Sequence, residues 1–309
     1  MGGGVTRLIL ARLAQIAVVT AVLSLVAFLL IGLMPGDPIA MAIAGDPRLT
    51  AEDAAMLRAL HGVDQPLATR YLAWAASVLG GDFGHSRLFA RPVAELLWPA
   101  LLSSLELLGL AIGLAILGGV GLGALAAMRP RLAPLVQGVA LVAQATPSFW
   151  LGILLIILFA VQLGWLPAGG GDPGWRFLVL PVATLAFANL AAYARHSAAA
   201  LRAALAEPHI RSARARGASE ARVLARHALP NAAVPLLTIA ALDAGAMVSG
   251  ALITETVFAR PGMGKLIYDA VMGSDFNLAL IALLVVAVVT MLATLAADLG
   301  QRWLDPRIA

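Results

Sequence analysis

Residues 207–231 read EPHIRSARARGASEARVLARHALPN and concentrate charge in a chain that is otherwise apolar. Of its 309 residues, 61% are hydrophobic and only 12% are charged, whereas roughly a quarter of a soluble domain is charged. The composition therefore predicts an integral membrane protein. Cysteine is absent, which excludes disulfides, thiolate catalysis and thiolate metal sites.

Six apolar runs are candidates to cross a bilayer, which takes about 20 helical residues. They cover residues 8–34, 101–128, 135–163, 177–194, 232–254 and 278–299. The fourth run is the weakest, since it contains Pro181 and Asn189. The first run follows Arg7 and Arg12 as a signal peptide would. Its apolar core is too long for one, however, and no cleavage signal follows it, so we expect it to remain as an anchor.

Arginines beside these runs predict which side each loop faces, because basic residues close to membrane helices stay in the cytoplasm. Basic residues precede run one, separate runs two and three, and follow run six, and residues 195–226 hold seven arginines. All these positions fall on one side of a six-span chain. We therefore predict an all-α integral membrane protein with six transmembrane helices and both termini cytoplasmic. It has an external insertion at 35–100 and a cytoplasmic loop at 195–231.

The charged stretch carries the signals of two short helices joined by a sharp turn. Gly217 is typical of the left-handed residue that ends a helix. Ser219 is a good N-cap for a second helix over residues 220–229. The sequence therefore predicts a helix, a glycine turn and another helix.

The second of these helices is predicted to be amphipathic. Arg222 and Arg226 lie on one face at i, i+4, while Val223 and Leu224 point elsewhere. Two or three positive charges suffice to orient a hairpin, so the pattern indicates a further role for the loop. Its basic face rests either on anionic lipid headgroups or on a protein partner, and we favour the partner.

Motifs for nucleotide binding and catalysis are incomplete in this sequence. The string ARPGMGKL at 259–266 ends in Gly-Lys, but a P-loop needs glycine in place of Ala259 and Ser or Thr in place of Leu266. The glycines of LGGVGLGA at 117–124 lie inside an apolar run, where small residues let helices approach closely. No His-Glu-x-x-His or Gly-x-Ser-x-Gly string occurs. We predict no catalytic residue and no metal site in this chain.

Short sequence blocks along nearly the whole chain occur in the order of one protein family. They are MPGDP at 34–38, GDFGHS at 81–86, TPSFWLG at 146–152, LGWLPA at 163–168, ETVFARPGMG at 255–264 and LDPRI near the end. The spacing from Gly217 to Pro230 is similar to the EAA loop of ABC importer permeases. The chain resembles the first permease of the dipeptide, oligopeptide and nickel importers. It departs from the broader family in having Arg211, Ser212 and Ala213 where Glu-Ala-Ala is usual.

This resemblance implies a type I ABC importer permease fold, with residues 1–309 as a single transmembrane domain in a bacterial inner membrane. A second homologous permease would complete the membrane pathway. Two cytoplasmic ATPases would bind ATP and Mg, so this chain would hold no cofactor. An external binding protein would deliver the substrate. Membrane lipid is a further partner, and nucleic acid is not.

The resemblance also implies that the arginine-rich loop couples the permease to its ATPases. The coupling residues carried over to this sequence are Ile210, Arg211, Ala213, Arg214, Gly217, Ala218, Ser219, Val223 and Leu224.

Polar residues inside the apolar runs are the candidates for a translocation path. A charge at the bilayer centre costs about 2.5–3.5 kcal/mol on insertion scales, so it should face a cavity or a partner. Asp243 lies deepest within its apolar run, and Glu106 and Asn189 are the other two candidates. For Asp243 the alternative is an interhelical hydrogen bond. Glu106 and Asp298 lie near the ends of their runs, and their alternative is to reach the interface or cap a helix.

The sequence leaves the substrate open. Peptides are favoured, while importers of nickel, metallophores, glutathione and opines share the architecture. The alternative from another class is a secondary transporter driven by an ion gradient. Such folds usually have paired internal repeats, and we find no convincing repeat between the two halves. A structural or signalling membrane protein would leave the arginine-rich loop unexplained.

Overall fold

The computed structural model describes residues 2–32, 65–172, 174–232 and 251–304, together with the single positions 52 and 236. These residues are mostly helical. The helices are α1 Gly2–Gly32, α2 Leu67–Leu79, α3 Val93–Met128, α4 Ala133–Ala145, α5 Ser148–Leu155, α6 Arg176–Ala206, α7 Pro208–Ala215, α8 Glu220–Val223, α9 Met263–Met272 and α10 Phe276–Leu304. Strands β1 His85–Ser86 and β2 Arg91–Pro92 pair antiparallel.

Four of the described helices, α1, α3, α6 and α10, are long and apolar enough to cross a membrane. They correspond to the first, second, fourth and sixth predicted runs. Most of the fifth predicted run, 232–254, lies outside the described residues. The count of six spans and the cytoplasmic location of both termini therefore stay predictions.

The third predicted run, 135–163, differs from the expected single helix. Helix α4 ends at Ala145 and α5 begins at Ser148, with a bend of 99° between them. Pro147 accounts for the break, because proline disfavours helical geometry in the residue before it, and Thr146 is extended at φ −85°, ψ 119°. Beyond α5 the chain continues as a π-helix, Ile156–Gln162. The bend makes this run either a broken span or a re-entrant loop.

The described chain falls into two compact units. The first unit comprises residues 1–12, 99–265 and 289–309, and the second comprises 13–98 and 266–288. Within the first unit, α4 and α5 both pack against α6. The buried face of α6 includes Tyr193, Ala194 and Leu201, so α6 is the central helix of this unit.

Glycines bring α3 into direct contact with α6, as the sequence LGGVGLGA predicts. A Cβ added at Gly119 would lie 2.3 Å from the Cβ of Tyr193, and one at Gly123 would lie 1.9 Å from the Oγ of Ser197. The Ser197 hydroxyl also donates to the carbonyl of Gly119 at 3.1 Å. The packing interpretation of this motif is confirmed.

In the second unit, a buried carboxylate joins the β-ribbon to the start of α10. Asp275 accepts hydrogen bonds from the Ser86 hydroxyl at 2.6 Å and from the Leu88 amide at 3.0 Å. Its other oxygen accepts the Leu278 amide at 3.3 Å, in the first turn of α10. Asp275 therefore caps the helix and fixes the ribbon at the same time.

Candidate functional site

The arginine-rich loop, residues 207–231, forms the predicted helix, glycine turn and second helix. Gly217 has φ +81°, which is the left-handed conformation expected of it. Its amide donates to the Arg214 carbonyl at 2.9 Å, and the next amide, that of Ala218, donates to the Ala213 carbonyl at 3.1 Å. The Ser219 hydroxyl accepts the Arg222 amide at 3.4 Å. The left-handed glycine and the serine N-cap are both confirmed.

The second helix of the loop is less regular than predicted. It is α-helical over Glu220–Val223 and then widens into a π-helical turn at Leu224–Ala228. Pro230 follows after Leu229, and it has no amide N–H to donate to the Arg226 carbonyl. Single π turns inside helices often occur at functional positions. Here the wide turn separates the N-capped first turn of α8 from the chain that continues toward residue 232.

An ion pair closes the loop across the glycine turn. The Arg214 guanidinium on α7 donates two hydrogen bonds to the Glu220 carboxylate on α8, at 2.8 and 2.9 Å. These hydrogen bonds lower the pKa of the Glu220 carboxyl from its ordinary value. The carboxylate is therefore charged, and the pair intact, throughout the neutral pH range. Both side chains are exposed, so the pair orients the two helices more than it stabilises them.

Apolar side chains fasten the loop to the end of α6. Ile210 and Val223 are fully buried, and Ala213 is almost so. Leu224 packs against a cluster that contains Leu201 and Ala204 of α6. The loop therefore has a small core of its own, continuous with the helix from which it emerges.

Burial divides the nine predicted coupling residues into three groups. Ile210, Ala213 and Val223 lie inside the loop's core, and Leu224 and Ala218 are half-buried. The exposed members are Arg211, Arg214, Gly217 and Ser219. Only exposed residues are free to contact a partner, so the predicted set contains the scaffold of the site as well as its surface.

The predicted pathway residues that the structure describes, Glu106 and Asn189, are engaged with different groups. The Glu106 carboxylate forms an ion pair with Arg260 at 2.7 Å while its side chain stays 54% exposed. The side-chain amide of Asn189 donates to the Leu185 carbonyl of its own helix at 2.9 Å. Asp243 lies outside the described residues. Asp298 pairs with Arg12 at 2.6 Å, which suits its place near the end of α10.

A buried carboxylate that sequence reasoning missed lies at the end of the helical residues 251–257. Glu255 is fully buried and accepts the hydroxyl of Ser104 on α3 at 2.5 Å. Its second oxygen accepts the amides of Gly264 at 2.8 Å and Lys265 at 3.2 Å. The Met263 amide donates to the Ser104 hydroxyl at 2.8 Å. Glu255 and Ser104 thus satisfy the first three amides of α9, which a helix leaves without partners.

Two glycines make room for this network. A Cβ at Gly262 would lie 2.2 Å from the Glu255 carboxyl carbon, and one at Gly264 would lie 2.4 Å from the Cα of Leu252. Both glycines belong to the block ETVFARPGMG at 255–264. The block therefore encodes both the buried acid and the turn that surrounds it. An acidic residue followed by two glycines within this block is the sequence signal by which the site could have been found.

Two family models match most of the chain. The model of the "Binding-protein-dependent transport system inner membrane component" matches residues 119–309. The model of the N-terminal part of such membrane components matches residues 5–92. The matched ranges include the arginine-rich loop, Glu255 with the turn that follows it, and the β-ribbon, and Ser104 lies between them.

Several relatives match over nearly their full lengths. The chain is 36% identical to "Probable peptide ABC transporter permease protein y4tP" of Sinorhizobium fredii, over 97% of this chain and 98% of that protein. It is 34% identical to "Glutathione transport system permease protein GsiC" of Salmonella typhimurium, over 97% and 98%. It is 30% identical to "Oligopeptide transport system permease protein AppB" of Bacillus subtilis, over 93% and 94%.

A solved structure supports the fold. A chain of the inward-facing MetNI methionine ABC transporter superposes with a TM-score of 0.58 at 21% identity, over 68% of this chain and 97% of that chain. At this identity the likeness shows a shared fold and nothing about substrate.

Proposed function

Because the chain belongs to the family of binding-protein-dependent transport system inner membrane components, in the peptide branch of the ABC importer permeases, we propose that it forms half of an ATP-driven import pathway. A second, homologous permease forms the other half. Two ATPases on the cytoplasmic side bind ATP and Mg, and a binding protein on the external side delivers the substrate.

The observation that carries the coupling proposal is the construction of the arginine-rich loop. Its two helices are fixed to each other by a left-handed glycine and a two-bond ion pair, and to α6 by a buried core. Such a loop behaves as a rigid projection. A rigid projection transmits the movement of a bound partner to the membrane helix, which a flexible loop cannot do.

Within the loop the residues have two roles in this mechanism. Arg211, Arg214, Gly217 and Ser219 present the surface that docks on an ATPase. Ile210, Ala213 and Val223 hold the projection in shape, and Leu224 connects it to α6. When ATP closes the two ATPases, the loop moves with them and turns α6, which opens or closes the pathway at the interface of the two permeases.

The Glu255 network has a positioning role in the same account. It ties the end of the helical residues 251–257 and the turn at 258–263 to α3 through Ser104. Movement of the chain before residue 255 is therefore transmitted to α3, because these hydrogen bonds keep the intervening turn rigid. Glu106 and Arg260 add an ion pair beside this joint.

The substrate class is proposed from the relatives. Proteins named for peptide, oligopeptide and glutathione transport match this chain over nearly its full length, and glutathione is itself a small peptide. We therefore assign small peptides to this importer. Asp243 remains our first candidate for a charged group along the pathway, since a charge in a membrane helix needs a cavity or a partner.

Purification from native membranes tests the proposal against the alternative of an ion-gradient transporter. The tagged chain is extracted in mild detergent, and co-purifying subunits and ATP hydrolysis are measured. We expect a second permease and ATPase subunits in constant ratio to the chain. A chain that purifies without any ATPase, and whose uptake activity collapses with an ionophore, would instead be a secondary transporter.

A further inference from the structure

The core that holds the arginine-rich loop also includes the C-terminal end of α3. Leu201 and Ala204 of α6 belong to a buried cluster with Ala228 of the π-helical turn, and Ala124 and Ala127 of α3 pack against this cluster. Small side chains of this kind let helices approach each other closely. The loop is therefore attached to two long helices, α3 and α6, and not to α6 alone.

The contact between α3 and α6 continues along both helices from this cluster. A Cβ added at Gly123 would lie 2.8 Å from the amide nitrogen of Ala198, a backbone atom. Farther along, Leu107 and Ala111 of α3 are buried in a cluster with Leu185 of α6. Packed interiors of this kind have low compressibility and transmit strain. The loop, α6 and the part of α3 from residue 99 to 128 therefore form one body.

The opposite end of α3 is fixed to the turn at 258–263. The Ser104 hydroxyl donates to the buried Glu255 carboxylate at 2.5 Å, and the Arg260 guanidinium in the turn donates to the Glu106 carboxylate at 2.7 Å. Helix α3 is continuous from these residues to its C-terminal end. At about 1.5 Å per residue, roughly 35 Å of helix separates this joint from the cluster below the loop.

We propose that α3 carries the movement of the arginine-rich loop directly to the turn at 258–263, in parallel with α6. The inference rests on the proposed function, in which ATPases move the loop. Because α3 is a continuous helix, displacement of its end at Ala127 displaces Ser104 as well. Ser104 and Gly123 are then positioning residues for coupling. Ser104 joins α3 to the turn, and Gly123 lets α3 lie against α6 beside the loop.

The amount of substrate imported per ATP hydrolysed tests this role separately from stability. Ser104→Ala breaks the joint at one end of α3, and Gly123→Ala forces α3 away from α6 near the other. Ser103→Ala is the matched serine control, because Ser103 contributes only its backbone carbonyl. Gly121→Ala is the glycine control, because a Cβ there meets nothing within 4 Å. Each variant is reconstituted in proteoliposomes with its partner subunits and binding protein. ATP hydrolysis and uptake of radiolabelled trialanine and glutathione are then measured per assembled complex.

We expect Ser104→Ala and Gly123→Ala to import several-fold less peptide per ATP than the unaltered complex, while both controls keep its ratio. An unchanged ratio in both variants overturns the proposal, because a loss of folded protein lowers hydrolysis and uptake together. A lower ratio in only one of them overturns it too, since a path through α3 needs both of its ends. An unaltered complex without ATP-dependent uptake would instead refute the proposed function.

A distance measurement tests the same inference with both joints intact. Leu102 is 64% exposed on α3, and Ala225 is exposed in the π-helical turn. Leu102→Cys and Ala225→Cys are introduced together in the cysteine-free chain, spin-labelled, and assembled with the partner subunits. We expect the same distance distribution without nucleotide and after trapping with ADP and vanadate, because α3 and the loop move as one body. A shift of the mean distance on trapping contradicts the proposal.

Discussion

The Glu255 carboxylate and the Ser104 hydroxyl lie 2.5 Å apart, although 151 positions separate them in the sequence. Glu255 is fully buried, so its oxygens depend on this hydroxyl and on the amides of Gly264 and Lys265. Ser104 in turn accepts the Met263 amide. One serine thus serves both a buried acid and the start of a helix, and its loss affects both.

Ser104→Ala should lower the stability of the protein by about 1–3 kcal/mol, the usual cost of leaving a buried polar atom without its hydrogen bond. Thermal unfolding in detergent measures the change. Ser103→Ala is the matched control, because Ser103 contributes only its backbone carbonyl, to Arg260. If the two alanine variants unfold at the same temperature, the network does not hold α9 to α3 in the way described.

Gly119→Ala should destabilise the contact between α3 and α6, because the added Cβ would lie 2.3 Å from the Cβ of Tyr193. Overpacking of this kind typically costs about 1–3 kcal/mol. Gly121→Ala is the control on the same helix, since a Cβ there meets nothing within 4 Å. We expect Gly121→Ala to be neutral or slightly stabilising in the same unfolding assay. Equal losses in both variants would mean that α3 and α6 are not in this close contact.

Single cysteines should report the predicted topology. Ser219 is exposed in the arginine-rich loop, and His85 is exposed in β1. The neighbouring Ser86 is unsuitable for labelling, because its side chain is buried against Asp275. In intact cells an impermeant maleimide should label His85→Cys but not Ser219→Cys. Inverted membrane vesicles should give the reverse. Labelling of both positions from the same side would contradict the six-span arrangement.

Local features of the fold follow from the sequence because they depend on neighbouring residues. The left-handed Gly217 and the Ser219 cap were predicted from single positions, and both are confirmed. The break before Ser148 was also encoded locally, by Pro147. It was missed because counting apolar residues over 135–163 ignores what proline does to the residue before it.

Long-range features could not be read in this way. The pairing of Glu255 with Ser104 and that of Arg260 with Glu106 join residues more than 150 positions apart, and no spacing rule connects them. The resemblance carries Ile210 and Val223 over as coupling residues, and the structure places both side chains in the buried core of the loop. Which face of a short helix is covered depends on the helix it packs against, here α6, and the loop's own sequence does not contain that information.

Substitution of Gly217 tests most directly whether the arginine-rich loop couples the permease to its ATPases as a rigid element. A Cβ at this position meets nothing within 4 Å, so within this chain Gly217→Val acts through backbone conformation, and Gly217→Asn reports the effect of a side chain on the docking surface. In the left-handed region a β-branched residue costs about 1–2 kcal/mol of conformational free energy. We expect the backbone of the valine variant to leave this region, which changes the direction of α8. Gly217→Asn is the matched control, since asparagine tolerates this conformation. Arg222→Gln with Arg226→Gln tests the alternative that positive charge on lipid is what matters.

The measurement is substrate uptake and ATPase retention by these variants, each expressed with its partner subunits at equal membrane levels. We predict that Gly217→Val loses both, that Gly217→Asn keeps most of both, and that the double glutamine variant retains more than Gly217→Val does. Normal uptake and normal ATPase retention in Gly217→Val, with loss only in the double glutamine variant, would contradict the account.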